Sequence, residues 1–490
     1  MTLMTRSFPS NFLFGAATAA YQIEGAAFED GRTASIWDTF ARVPGAVIGG
    51  DTGDVACDHY HRYADDVALM TELGLQTYRF STSWSRVRPD GGAVNAAGVD
   101  FYERLVDRLL GAGILPWLTL YHWDMPQALQ DAGGWTNRDT VDRFLEYAGT
   151  MHDALGDRVN VWTTLNEPWC SSFLSYTGGE HAPGHTSVAE GLLASHHLLL
   201  AHGATVQELR SRDASLNLGI TLNHTVADPA DPADPADVDA ARRVDGQFNR
   251  WFLDPIYRGA YPADIVEDIR AVDADAVALF EAAIHEGDLA TISQPIDTQG
   301  VNYYHGDFLS GTAPALRPAS GGPATERKGR SPYPSSEGIH SVERGLPRTA
   351  QNWEVQPEGL TRVLQRVWTE YAEPAGTVLY MTENGAAYDD VAVVEDGETR
   401  VHDVERTEFL RLHLGAVLDA AESGVDVRGY FYWSMFDNYE WAWGYDKRFG
   451  IVRVDYDTQE RSLKDSGREY ARIIATRTLT EKDALAVQIA

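Results

Sequence analysis

The chain has 490 residues, 44% of them hydrophobic, with 72 acidic against 40 basic side chains for a formal net charge of −32. That is a globular balance, and a surface so acidic repels nucleic-acid phosphates and anionic membranes; its ordinary role is to keep the protein dissolved. With no uninterrupted run of about 18 apolar residues a membrane span is not expected, and the two cysteines, Cys57 and Cys170, are too few for a disulfide framework, so a reducing, cytoplasmic setting is expected.

In chain order, "FLFGAATAA" at 12–20 reads as part of a first strand rather than a signal peptide, because the apolar run is short and no charged segment leads into it. Strands are expected at 11–16, 77–81, 114–120, 159–165, 216–223, 298–303, 378–382 and 427–433. Helical spacing falls between them at 65–73, 99–110, 140–155, 189–209, 358–371 and 404–421. Strand-helix alternation implies parallel strands joined by crossovers, and eight such units close into an α/β fold of one domain over 1–490, a (β/α)8 TIM barrel with extended βα loops. The open doubly wound alternative wants Gly-x-Gly-x-x-Gly after the first strand, where Gly15 is instead followed by alanines and Thr18. Two insertions interrupt the pattern. "DPADPADPAD" at 228–237 reads as a stiff solvated loop, and the Gly-, Pro- and Ser-rich segment 306–351 as a long loop overhanging the barrel's functional face.

Two expected strands stop at a glutamate: "VWTTLNEPWC" at Glu167 and "VLYMTENGAA" at Glu383. In a barrel all such strand ends share one face, so the fourth and seventh strands bring these carboxyls to one pocket although they are far apart in sequence. Alone, either glutamate would more often cap the following helix; together they suit cleavage of a glycosidic bond, in which one group donates a proton while the other stays ionised. The chain has 13 Trp and 22 Tyr. Trp123, Trp169, Trp433, Trp441 and Trp443 follow expected strands beside His122, Asn166 and Glu440, a mixture of flat rings and hydroxyl-binding groups suited to a sugar.

From about Phe8 to Tyr470 the chain resembles the family 1 glycoside hydrolases, typified by β-glucosidases. The likeness rests on "FLFGAATAAYQIEGA", "YHWDMPQAL", "TLNEP", "GVNYY", "NWEVQPEGL", "TENG" and "WSMFDNYEWAWGYDKRFG", in the family's order. It implies a retaining exo-β-glycosidase with Glu167 as acid/base and Glu383 as nucleophile. Arg79, Asn302 and Tyr304 match residues that hold the nucleophile; Gln22, His122, Trp123, Asn166, Glu440 and Trp441 match the glycone site, with Trp433 as its floor. Trp353 matches the aglycone platform, and Trp169, His181 and Phe449 the entrance. The expected partner is a small glycoside or oligosaccharide, terminal β-glucosides first, with galactosides and fucosides as side substrates, and a homo-oligomer is allowed for. In this reading the Glu383 anion raises the pKa of Glu167, and Arg79 keeps Glu383 anionic. Neither His59 with His61 nor His196 with His197 has zinc-helix spacing, so no metal or other cofactor is expected.

Two rivals remain. The family's phospho-sugar branch looks for a hydroxylic residue and a tyrosine where this chain has Glu440 and Phe449, although Lys447, which that branch also uses, is present. A non-catalytic sugar-binding relative would typically lack one glutamate, and both are here.

Overall fold

The computed structural model describes residues 4–312 and 330–481. Eight strands, β1 (Leu13–Ala17), β2 (Thr77–Ser81), β3 (Leu115–Tyr121), β4 (Val161–Asn166), β5 (Asn217–Asn223), β6 (Thr298–Asn302), β7 (Val378–Asn384) and β8 (Val427–Trp433), form a closed barrel. Each runs parallel to its sequence neighbours, and β8 returns to β1 with Gly429 opposite Leu13 and Trp433 opposite Ala17. Closure removes the open-sheet alternative. Strands covered on both faces are mostly apolar, as in β3, buried from Pro116 to Tyr121; β2 is buried at every position too, with polar Thr77, Arg79 and Ser81 alternating with Tyr78 and Phe80.

Helices α1 (His59–Leu73), α2 (Ala96–Gly111), α3 (Asp139–Leu155), α4 (Val188–Arg212), α5 (Trp251–Arg258), α6 (Pro357–Val367), α7 (Val404–Glu422) and α8 (Asp465–Thr476) follow successive strands. The burial of α3 shows why such a segment is helical: Val141, Phe144, Ala148, Met151 and Leu155 recur every three or four residues and face inward. Each ring or branched chain so buried contributes about 1.5 to 3 kcal/mol. Helix α1 ends where Gly74, at φ 74°, donates its N–H to Met70, a left-handed stop that costs glycine little.

Departures from the sequence reading have local causes. Phe12 and Val159, buried ahead of their ladders, lengthened the expected first and fourth strands; Phe12 packs with Phe8 and Phe14 in an aromatic cluster. The expected helix 358–371 is α6 followed by a π turn at Trp368–Ala372. The repeat at 228–237 is not a loop throughout. Ala227–Pro229 is a short strand, and Pro235 opens a helix (Pro235–Asp245) at the one turn where its missing N–H costs nothing, with the Asp234 carboxylate accepting from the N–H of Ala236. The segment 306–351 begins as structure too: Asp307–Ser310 pairs with Ala227–Pro229 and with His340–Ser341 in a small sheet, while 313–329 lie outside the described residues. Among the described residues no helix is long and apolar enough to cross a membrane.

Candidate active site

The carboxyl ends of β4 to β7 set the site. Strand β4 ends at Asn166, and Glu167 follows at φ 47°, left-handed for a residue with a side chain, held by its N–H to Thr221 on β5 at 2.9 Å. Asn302, the last residue of β6, lies opposite Asn223 of β5 on one side and Glu383 of β7 on the other. Trp123 (φ 78°) and Trp441 (φ 51°) are also left-handed, so three residues of this rim carry backbone strain that the surrounding fold must hold. Gly385 serves close approach: a Cβ there would lie 1.6 Å from the Trp433 carbonyl oxygen, so only glycine lets the ends of β7 and β8 meet.

Hydrogen bonds give the two carboxyls different company. Glu383 accepts from Arg79 Nη1 at 2.5 Å on one oxygen and from the Tyr304 hydroxyl at 2.8 Å on the other. Glu167 Oε1 accepts from Asn302 Nδ2 at 2.7 Å and Oε2 from the Cys170 thiol at 3.3 Å. Asn302, expected to hold Glu383, thus gives its amide to Glu167, although it also helps hold the Glu383 pKa down. Asn166 is oriented by two donors on its Oδ1, Arg79 Nη2 at 2.6 Å and Asn302 Nδ2 at 3.2 Å. Its own amide therefore faces His122 Nε2 at 3.1 Å, which makes Nε2 an acceptor and leaves the imidazole proton on Nδ1.

Burial is the largest cause raising the Glu167 pKa, to about 8, and the neighbouring Glu383 charge comes second, the reverse of the emphasis the sequence suggested. Burial lifts Glu383 as well, but Arg79, Tyr304 and Asn302 oppose it, so of this interacting pair Glu383 ionises first. Two carboxylates at the separation of a retaining glycosidase, about 5 to 5.5 Å, repel by about 3 kcal/mol at an effective dielectric of about 20, enough to keep the second proton in place. Glu440 is a third carboxyl in the same pocket, raised to about 8 by burial and then by Glu383 and Glu167. Burial, with Arg79, holds His122 neutral.

Around the pair, one cavity is lined by His122, Trp123, Glu167, Trp169, His181, Asn302, Tyr304, Trp353, Glu383, Trp433, Glu440, Trp441 and Phe449, all named from the sequence. Trp441 lies 4.4 Å from Trp123, and His122 stacks between Trp433 and Trp441, which makes one aromatic wall; Tyr304, Trp353 and Phe449 make another. Gln22, Arg79 and Asn166 stand behind the lining, fully buried or nearly so. Gln22 Nε2 donates to the Tyr439 carbonyl at 2.8 Å. Its Oε1, together with His122 Nδ1 and Glu440 Oε2, is buried with no hydrogen-bond partner among the described residues. Such groups are rarely left unmatched, and one donor with two acceptors is a set that sugar hydroxyls satisfy.

A family model for glycosyl hydrolase family 1 matches residues 4–479. The chain belongs to glycosyl hydrolase family 1. It is 50% identical over 470 residues to the thermostable β-glucosidase B of Thermobispora bispora, covering 96% of this chain and 90% of that protein. It is 46% identical to a bifunctional β-D-glucosidase/β-D-fucosidase of Bifidobacterium breve, covering 96% and 99%. Among solved structures, a psychrophilic β-glucosidase from Micrococcus antarcticus superposes with a TM-score of 0.91 at 53% identity, covering 96% of this chain and 98% of that one.

The lining holds more residues than the sequence analysis named. Cys170, Asn223, Phe248, Tyr333 and Gln351 also face the cavity and were not assigned to the site from the sequence. Phe248 lies 4.5 Å from Trp169, and Tyr333 lies 5.5 Å from it, so this part of the family 1 pocket is an aromatic cluster of Trp169 after β4, Phe248 from the helical segment before α5 and Tyr333 from the insertion 306–351. Only Asn223 carried a usable signal, being, like Asn302, a polar residue ending a buried strand.

Proposed function

We propose that this family 1 chain is a retaining exo-β-glycosidase, a β-glucosidase first, with Glu383 as nucleophile and Glu167 as acid/base. The observation that carries the reading is the unequal pair: two buried carboxyls at the ends of β4 and β7 on one rim of the barrel, Glu383 held by a cation and a phenol, Glu167 held by weaker donors and raised to about 8. The names of the relatives support glucosides as the main substrates and β-fucosides as a side activity.

In the first step a Glu383 oxygen forms a bond to the anomeric carbon as the glycosidic oxygen leaves with its electron pair and takes the Glu167 proton. Ester formation removes the Glu383 charge, the Glu167 pKa falls, and Glu167 then takes a proton from water as the water oxygen attacks the same carbon and Glu383 departs. Two inversions restore the starting configuration. Every proton and electron pair comes from side chains, substrate or water. Both thiols, Cys57 and Cys170, are buried and free, and a reducing, cytoplasmic location stays part of the proposal on the low cysteine count alone.

The phospho-sugar reading loses support. Lys447, its one favourable residue, is tied to Asp446 at 2.7 Å and lies over the Trp443 ring. A 6-phosphate would also bring further negative charge into a buried pocket that already holds the Glu383 anion beside Glu167 and Glu440. Hydrolysis of nitrophenyl β-glucoside with β-glucose as the first-formed anomer, and at least about 100-fold slower hydrolysis of its 6-phosphate, is the expected result, about 3 kcal/mol of discrimination. Preference for the phosphate, or release of α-glucose, would overturn the reading.

The pH dependence follows from the same pair. The acid form of Glu167 is the active one, so kcat/KM is expected to hold below its pKa and fall as pH rises through about 8. A profile still flat at pH 9.5 would contradict the assignment.

A further inference from the structure

We propose that Cys170 is a positioning residue that sets the proton affinity of the acid/base carboxyl, an inference that rests on the role given to Glu167 above. Cys170 opens the π-helical segment Cys170–Gly178, and its N–H donates back to the Glu167 carbonyl at 2.9 Å, which fixes the two side chains against each other across one tight turn. The thiol points at Glu167 Oε2 at 3.3 Å. Asn223 Nδ2 donates to the same sulfur at 3.7 Å, so the sulfur lone pairs have a donor and the S–H proton is directed to the carboxylate. Asn302 Nδ2 supplies the other oxygen, Oε1. Asn223 and Asn302 are register partners on β5 and β6, so one rung of the barrel delivers both controls on Glu167, one directly and one through sulfur.

This arrangement fits a group that must change roles. A hydrogen bond to the ionised form lowers a carboxyl pKa, so burial raises Glu167 and the two donors moderate the rise. In the first step the proton belongs on Oε2, because Oε1 is occupied by the Asn302 amide, and a soft thiol can release that oxygen toward the glycosidic oxygen at little cost. In the second step Glu167 must be an anion, and the S–H donor stabilises it as it accepts the proton of water. Burial raises the Cys170 pKa far above the ordinary thiol value, so the group stays a protonated donor across the working range and does not compete as a nucleophile.

Cys170→Ala and Cys170→Ser are compared by the pH profile of kcat/KM on a nitrophenyl β-glucoside and by kcat on dinitrophenyl β-glucoside, for which loss of the glycosyl-enzyme is slow. Alanine is expected to move the alkaline limb up by about half to one pH unit and to slow the second step severalfold at pH 6, because the base is then harder to ionise. Serine, which keeps a donor, is expected to return the limb to within about 0.3 of a unit of the native one. A purely structural role would lower rates without moving the limb. Equal positions of the limb in the native protein and the alanine variant, or equal displacement by alanine and serine, would overturn the proposal. Glu167→Gln separates the two readings. If the limb vanishes in that variant but Cys170→Ala leaves it in place, only the role of Cys170 falls; if the limb survives Glu167→Gln unchanged, the acid/base assignment falls with it.

Discussion

Glu383→Gln is expected to slow hydrolysis of all glycosides, good and poor leaving groups alike, by about 10⁵ to 10⁶, the scale on which removal of a catalytic nucleophile acts. The amide matches the carboxylate in shape and still meets the Tyr304 hydroxyl, so the proposed glycone pocket, with His122, Trp433 and Trp441 in its lining and Gln22 behind it, is expected to stay intact. Binding of a monosaccharide inhibitor, followed by titration calorimetry, is therefore expected to stay within about tenfold of the native value, or about 1.4 kcal/mol. The substitution has a stability cost as well. Arg79 is buried and loses the one carboxylate with which, among the described residues, it forms an ion pair, and breaking a buried pair from one side costs about 3 to 5 kcal/mol. Undiminished turnover would remove Glu383 from the chemistry.

Glu167→Ala has a selective signature instead. Proton donation matters in proportion to how poor the leaving group is, so cellobiose or an alkyl glucoside is expected to lose about 10² to 10⁴ in kcat/KM, while a dinitrophenyl glucoside keeps it within about tenfold. For the dinitrophenyl substrate the loss moves to the second step, since no base remains to deprotonate water. Added azide, an anion that needs no base, is expected to restore turnover and give a β-glycosyl azide. Equal losses of kcat/KM for both classes would show that Glu167 is not the proton donor.

Much of this architecture is legible because parallel barrel strands are buried on both faces and many read as short apolar runs, as β3 does. The carboxyl pair is legible for the same reason. A charged residue at the end of a run such as Val161–Asn166 or within Val378–Asn384 needs a reason to be there, and barrel closure puts both on one rim. What the sequence hides has no period. Tyr333 and Gln351 reach the pocket from the insertion 306–351 and Phe248 from the helical segment before α5, and only tertiary packing brings them beside Trp169 and Glu440. Left-handed backbone at Trp123, Glu167 and Trp441 is equally hidden, since a glycine would announce it and these residues do not. The order of causes behind the Glu167 pKa also needs the structure, because burial outweighs the neighbouring charge and burial cannot be read from residue spacing.

The most direct test is covalent trapping. A glucoside with fluorine at C2 and a dinitrophenyl leaving group forms the glycosyl-enzyme faster than water releases it, and the mass of the intact protein and of its peptides then locates the bond. One fluoroglucosyl group per chain, on the peptide that contains Glu383, is the predicted result; no adduct despite release of dinitrophenol, or an adduct on any other side chain, would contradict direct attack by Glu383 on the sugar.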